Sequence, residues 1–574
     1  MRHSYIWLIW LPISCLSPLL CHAQADAGAL QRGLEQQMPS PSPLELPSPV
    51  MPNAAPQKPK IQQGTSFLLK SFVLEGVKLL TEEQVLQTLN PWVGRTVGFD
   101  DLQEACDAIV NLYREHGLVV QAILPPQKII NGIVKILITE AKLSRVIVDT
   151  PQGKTRFSPD LASDYITHAN PIGKPLNVKS IEESIIILNE TPGVIAISTL
   201  EAGEEIGETA VRLQLTDGNL VQGKVEVNNY GSRTTGANQG IISLGLNNPL
   251  GYGDQASLNG VASEGSQYLQ GAYSFPGSKD GLRLGISGTY LQYKNVSNYG
   301  VANTANASYG DAWTTGVSAA YPLVRKTITN VNLSANYDLK SYTNNSAVNS
   351  RPLSSYNIRD FSLGLSADHI DDFLYGGVSN ASATLIFGNL EILSTSLVGY
   401  GAQTPNTFGK LAFSGSHNRR LVEDGAYSLF LSASGQLSTA NLNSAEQFYL
   451  GGPYGVRSYP VAQAGGAQGG LASVELRKEF LQDILGFIFF DAGIVQQYIS
   501  PPYYGWQGPT NASNIYTLMG TGLGIKLKYE RWNLSATIAW KVGNNPLYNQ
   551  SGLPVNTDGT TTNPRGWLSG SYQF

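Results

Sequence analysis

The stretch Trp532-Asn-Leu-Ser-Ala-Thr-Ile-Ala-Trp540-Lys541 alternates strictly in character. Trp532, Leu534, Ala536, Ile538 and Trp540 fall on one face of an extended chain, and Asn533, Ser535, Thr537, Ala539 and Lys541 on the other. The same period runs through Leu523, Ile525, Leu527 and Tyr529 against Gly524, Lys526 and Lys528. It recurs in Leu429, Leu431, Ala433 and Leu437 against Ser428, Ser432, Ser434 and Gln436. Such alternation fits a soluble β-sandwich as well as a transmembrane barrel. Two features decide between them. Aromatics such as Trp532 and Trp540 sit at strand ends, where a bilayer interface places its girdles. The sequence also closes on Leu568-Ser-Gly-Ser-Tyr572-Gln-Phe574, an apolar strand on which a soluble sandwich has no reason to stop. From Gly218 to Phe574 the expectation is an all-β transmembrane barrel, apolar toward lipid and polar toward the lumen.

The composition agrees. Only 14% of the 574 residues are charged, against about 25% in soluble proteins. A net charge of −5 without long like-charge runs gives nucleic-acid binding no electrostatic support. Residues 1–25 read as a secretory signal peptide: Arg2 and His3, an apolar stretch from Tyr5 to Leu20, then Ala23-Gln24-Ala25 before Asp26. Pro12 and Pro18 interrupt that stretch, which is short for a membrane anchor, and Pro18 argues against a lipoprotein signal at Cys21. Cys15 and Cys21 leave with the signal, so Cys106 remains alone and is expected as a thiol buried in a helix. No later segment is long and apolar enough for a transmembrane helix. Amphipathic strands exported across the inner membrane belong in the outer one.

Upstream of the barrel the texture differs. Residues 26–38 place Leu30, Leu34 and Met38 four apart on one helix face, with Gly33 weakening the helix by about 1 kcal/mol. Prolines 39, 41, 43, 47, 49, 52, 56 and 59 make 39–65 an extended linker of about 3 Å per residue. A compact α+β unit follows over 66–141. It reads as a strand at Phe67–Leu74, a helix opened by Thr81-Glu-Glu, and a helix opened by Asp100/Asp101 carrying Leu102, Cys106, Ile109, Val110 and Tyr113. Gly117 ends that helix, and strands follow at Leu118–Leu124 and Ile129–Thr139. The order recurs over 142–217, with Leu143–Asp149, a helix around Val178–Leu188, Val194–Leu200 and Thr209–Thr216.

Two motifs carry charge into the barrel region. Gly452-Pro-Tyr-Gly-Val-Arg-Ser-Tyr-Pro460 sets Arg457 in a Gly- and Pro-bounded loop, and Phe489-x-Asp491-x-Gly493 sets an aspartate in an apolar strand. An interior charge needs a partner, so the two are a candidate pair across the lumen. Losing one partner costs ~3–5 kcal/mol at a dry site and far less at a wet one; a water-filled lumen favours the low end. Val456 and Tyr459 would pack the loop tip, Phe489 would lie beside Asp491, and Gly493 would allow close approach. The pair either stiffens the barrel or holds the loop inside it.

At these motifs the chain resembles the two-partner secretion transporters (TpsB proteins) of the polypeptide-transporting outer-membrane barrel superfamily. There a Val-Arg-Gly-Tyr/Phe loop tip folds into the pore and its arginine meets the aspartate of a Phe-x-Asp-x-Gly strand. Ser458 stands here in place of the family's glycine. The resemblance implies about sixteen antiparallel strands, which suits the length at ~10 residues per strand plus loops. It implies two POTRA domains, at 66–141 and 142–217, where Pro125-Pro-Gln127 and Leu188-Asn189-Glu-Thr-Pro192-Gly193 match their turns. Residues 26–38, otherwise a frayed N-terminal helix, become a helix that plugs the pore. Tyr572 and Phe574 resemble the C-terminal sorting signal of outer-membrane barrels.

The implied function is export of a large, unfolded exoprotein with an N-terminal secretion domain, without ATP, from periplasm to cell surface. Periplasmic POTRA domains would catch this client, or would serve only as a spacer. Strand addition along Val119, Val120, Gln121, Ala122, Ile123 and Leu124 is the capture mode to test. Outer-membrane lipid and, during biogenesis, the barrel-assembly machinery are the other partners. An assembly factor that inserts other barrels is the alternative, although it would carry more POTRA repeats and no plug; a passive porin needs no POTRA domain. Enzymatic signals are missing, with no Gly-x-Ser-x-Gly, His-Glu-x-x-His or phosphate loop. Glycines 520, 522 and 524 alternate along a strand, and His116, His168, His369 and His417 lack ligand spacing. No catalytic, cofactor or metal site is assigned.

Overall fold

The computed structural model describes residues 26–37, 66–296, 307–395, 404–481, 483–501, 512–548 and 552–574. The expected signal peptide, Met38 and the Pro-rich linker lie outside the described residues. Five α-helices are described: α1 (Ala27–Glu35), α2 (Glu82–Leu89), α3 (Phe99–Glu115), α4 (Pro159–Ala169) and α5 (Val178–Glu190).

The first α+β unit packs α2 and α3 on a three-stranded sheet. Ile133–Glu140 lies in its centre, parallel to Ser71–Glu75 and antiparallel to Val120–Ile123. Thr81 and Gln84 form a reciprocal capping box on α2. On α3 the Asp101 carboxylate accepts from the Gly98 N–H at 2.6 Å. Leu102, Ala105, Cys106, Ile109 and Tyr113 recur at helical spacing and are buried against Phe72, Val134, Ile136 and Ile138. Burial, and then the Asp107 charge, push the Cys106 thiol up to about 11.

The strand expected over Phe67–Leu74 is split. Phe67–Leu68 pairs with Thr96–Val97, then the Leu69 N–H donates to Arg95 and the Lys70 N–H to Gly132, so the ladder changes partner there. The strand expected from Ile129 starts at Ile133 because Asn131 and Gly132 both turn through positive φ.

The second unit repeats the order. Lys142–Asp149, Glu208–Asp217 and Val194–Ala202 form its sheet in that spatial sequence, with α4 and α5 on one face. Sequence reading gave a range only for the second of the two helices, α5; α4 is announced by Ser158-Pro159-Asp160, a proline in the first turn followed by an acid. This unit is fastened to the barrel mouth. Glu190 pairs with Arg325 at 2.8 Å, Asp164 pairs with Lys279, and Arg156 donates to the Gly218 carbonyl at 2.5 Å.

Sixteen antiparallel strands close the barrel, each paired with its sequence neighbours from Val221–Asn228 to Arg565–Gln573. The last strand meets the first from Ser569 opposite Asn228 to Gln573 opposite Lys224, and Phe574 continues the ladder onto Gly223. Leu523, Ile525, Trp532, Leu534, Trp540 and Leu568 face outward and are exposed, which places the apolar period on the lipid side. Strands such as Ser308–Arg325 and Pro352–Asp371 exceed the ~9–11 residues needed to cross a bilayer and extend beyond it.

Candidate functional site

Residues 439–467 join the strands Tyr427–Ser438 and Gln468–Leu481, and they fold into the lumen. The segment opens with a 3-10 turn at Ser444–Glu446, and Phe448–Tyr449 pairs with Gly465–Gly466. Beyond that pair the tip doubles back. The Val456 N–H donates to the Leu450 carbonyl at 2.7 Å and the Gly452 N–H to the Tyr459 carbonyl at 3.2 Å. Val456, Ser458 and Tyr459 are fully buried among Leu450, Val495, Leu518 and Leu547. Ser458 keeps a negative φ, so a residue with a Cβ sits there without left-handed strain.

Arg457 projects from this tip into a charge cluster on the wall. Its Nη2 and Nε donate to the two Asp491 oxygens at 2.7 and 2.9 Å, and its backbone N–H donates to the same carboxylate at 3.1 Å. Its Nη1 donates to Glu475 at 2.6 Å and its Nη2 to the Ser473 hydroxyl at 2.9 Å. Ser473 in turn donates to Asp491 at 2.7 Å, and Arg477 holds the other Glu475 oxygen at 2.7 Å. Two guanidinium groups thus face two carboxylates, with the Lys526 ammonium near the same group, over the Phe487 ring. The guanidinium also stacks 3.5 Å from the Phe489 ring centroid, while the Trp567 indole N–H donates to the Arg457 carbonyl at 2.7 Å. Asp491 is 0% exposed. The pair is thus largely shielded, with the Arg457 side chain 11% exposed, which moves the expected cost of losing one partner up from the low end.

Sequence reading found Arg457, Asp491 and Phe489 but not Ser473, Glu475, Arg477 or Trp567. Strand register supplies them: Ser473 lies opposite Asp491 and Glu475 opposite Phe489, so the inward face of Gln468–Leu481 completes the cluster. A Ser-x-Glu-x-Arg alternation was the available signal. Glycine makes the room. A Cβ on Gly493 would stand 2.7 Å from Leu450, and one on Gly520, Gly522 or Gly524 would strike Ser458, Phe489 or Phe487 at 2.3–2.5 Å.

Across the lumen lies α1. Asp26 caps it, accepting from the Gly28 and Ala29 N–H groups, and its other oxygen accepts from Asn344 at 3.0 Å. Gln31 donates to Thr289 at 3.2 Å and Thr314 at 3.0 Å. Leu34 is buried with Ala27 among luminal Tyr268, Tyr293, Tyr342 and Tyr356, and Leu30 packs at the edge. The helix expected to reach Met38 stops at Glu35, where Gln36 and Gln37 turn back onto Arg32 and Leu34.

Of the capture strand, Val120–Ile123 forms one edge of its sheet, with Val120 and Ala122 toward the core and Gln121 and Ile123 exposed. Val119 packs on the core of the second unit, and Leu124 on that of the first. At the C-terminus Tyr572 meets Trp532 with ring centroids 5.0 Å apart, and the Phe574 ring lies over Gly223.

Comparison with known proteins finds relatives over most of the chain. The family described as haemolysin secretion/activation protein ShlB/FhaC/HecB matches residues 207–527, and the ShlB-type POTRA domain matches 67–141. The heme/hemopexin transporter protein HuxB of Haemophilus influenzae is 25% identical over 525 residues, 88% of each chain. The outer membrane transporter CdiB of Escherichia coli is 25% identical over 486 residues, 81% of this chain and 79% of that one. The solved structure of CdiB from Escherichia coli superposes with a TM-score of 0.69 at 21% identity, covering 91% of this chain and 93% of that one.

Proposed function

The chain belongs to the haemolysin secretion/activation protein family ShlB/FhaC/HecB, a family of outer-membrane transporters, and we propose that it exports a large partner exoprotein from periplasm to cell surface. One observation carries this reading: the lumen of a closed barrel is filled by the chain's own α1 and by an inward-folded loop. A wall that only had to be stiff would need neither. The POTRA units, 66–141 and 142–217, stand at the periplasmic mouth and receive the client's N-terminal secretion domain. Capture is by strand addition at an edge such as Val120–Ile123. The Arg457 loop is a latch that stays folded against the wall, whereas α1 is a plug that leaves. The wall contacts of α1 support that division, being mostly neutral hydrogen bonds worth about 0.5–1.5 kcal/mol each. The client then passes as an extended chain without ATP, and folding outside gives direction.

Co-expression with candidate exoproteins tests the proposal. One of them should reach the cell surface only when this chain is present, and single-channel conductance should rise when residues 26–38 are deleted. Surface delivery independent of this chain would overturn the proposal, and a general loss of outer-membrane proteins in its absence would favour the assembly-factor alternative.

A further inference from the structure

The luminal helix does not rest on the barrel wall alone. Its first turn lies on the Ser444–Glu446 turn of the inward loop. The Ser444 hydroxyl donates to Asp26 at 2.5 Å, and a Cβ on Gly28 would stand 2.7 Å from Ala445. The Ser444–Glu446 turn itself hangs on one side chain. The Glu446 carboxylate lies between Lys340 at 2.8 Å and Lys410 at 2.5 Å, ammonium groups from two wall strands that are not neighbours. Its carbonyl accepts from Lys410 at 3.2 Å and from Gln436 at 2.9 Å, and Lys340 also pairs with Asp360 at 2.5 Å. Lys410 and Glu446 are 0% and 2% exposed at the side chain. Arg32 of α1 also lies within electrostatic reach of Glu446 and Lys410, so three cations face the Glu446 and Asp360 carboxylates at a largely buried site. Loss of Glu446 would take from the buried Lys410 its ion-pair partner. None of these residues touches the Arg457 cluster, eleven positions further along the loop from Glu446.

We propose that Glu446 is a positioning residue for the plug: its grip on Lys340 and Lys410 fixes the Ser444–Ala445 seat, and α1 stays in the lumen only while that seat holds. An apolar side chain would fill the same space, but two directional ion pairs from separate strands also fix the orientation of the turn. The seat is thus governed by a different set of charges from the one that holds the loop tip. This deepens the reading of α1 as a removable plug and rests on it.

Two readouts on the full-length purified protein test the proposal. In the first, Gln31→Cys and Thr314→Cys are joined by a short bis-methanethiosulfonate reagent, since the native side chains touch at 3.0 Å. Cys106, the only other described cysteine, is buried and does not compete. Adding Glu446→Gln should lower cross-linking at least fivefold. The second readout is steady conductance, where Glu446→Gln should raise the full-length value severalfold and change nothing in a chain lacking residues 26–38.

Unchanged cross-linking, or an equal conductance change with and without α1, would overturn the proposal, because Glu446 would then serve only the loop. If Glu446→Gln does not give a folded barrel on a heat-modifiability gel, Lys410→Met takes its place. A twofold fall in cross-linking supports the seat and no fall refutes it. Should the 26–38 deletion itself leave conductance flat, the plug reading fails while cross-linking still reports on the seat.

Discussion

The two sides of the lumen are built on different chemistry. Around Arg457 the loop tip is held by a bidentate guanidinium–carboxylate pair, a second carboxylate, a ring stack and a glycine track that brings them together. Around α1 the wall's direct contacts are amide and hydroxyl groups such as Asn344, Thr289 and Thr314 with a patch of tyrosines, and charge enters through the Asp26 carboxylate and, one layer behind, the Lys340–Lys410–Glu446 cluster. Charge-assisted bonds in a dry site are roughly twice as strong as neutral ones and poorly replaced once broken. Neutral bonds exchange with water at small net cost. The tip is thus bound to the wall directly by charge, whereas α1 touches the wall mainly through neutral groups.

The largest effect is expected at the Arg457 tip. Arg457→Ala should leave Asp491 buried without its cation, at ~3–5 kcal/mol, and Arg457→Lys should rescue little because a point charge cannot reproduce the fork. Limited proteolysis of the folded barrel checks this: the loop should become cleavable in both variants. A loop as resistant as the parent's would erase the contrast between the two sides.

Next in size is packing. Gly493→Ala should cost about 1–3 kcal/mol by overpacking against Leu450, and Leu450→Val should relieve part of it in a thermal melt of the double variant. On the opposite side, Gln31→Ala should weaken the seating of α1 by about 1 kcal/mol, visible as more frequent channel opening with the melting temperature unmoved. Smallest is Ser458→Gly. With a negative φ and only a long 3.4 Å contact from its hydroxyl to Met519, the change should stay within ~1 kcal/mol. A larger loss would mean that serine has a task at the tip beyond occupying it.

The sequence made the barrel legible because lipid and lumen impose opposite demands on alternate residues, as at Trp532–Lys541. Arg457 and Asp491 were legible because each is a lone charge in an apolar or Gly-rich setting. Glu475 and Ser473 were not, since their place opposite Phe489 and Asp491 follows from register between strands. The Lys340–Lys410–Glu446 cluster was further out of reach. Its members come from two non-neighbouring strands and a loop, and each alone resembles an ordinary polar position. The first helix of the second unit was implied by the recurring order but given no range, although Ser158-Pro159-Asp160 is a helix-opening signal.

The seam between the first and last strands has a consequence for the order of folding. Asn228 and Ser569 lie 341 positions apart, so this pairing closes the largest loop in the barrel and should form late. Trp567, in that same last strand, donates to the carbonyl of Arg457. Closure of the seam and seating of the tip therefore share a contact, so a barrel whose loop stayed outside would close with the Trp567 indole N–H lacking its partner.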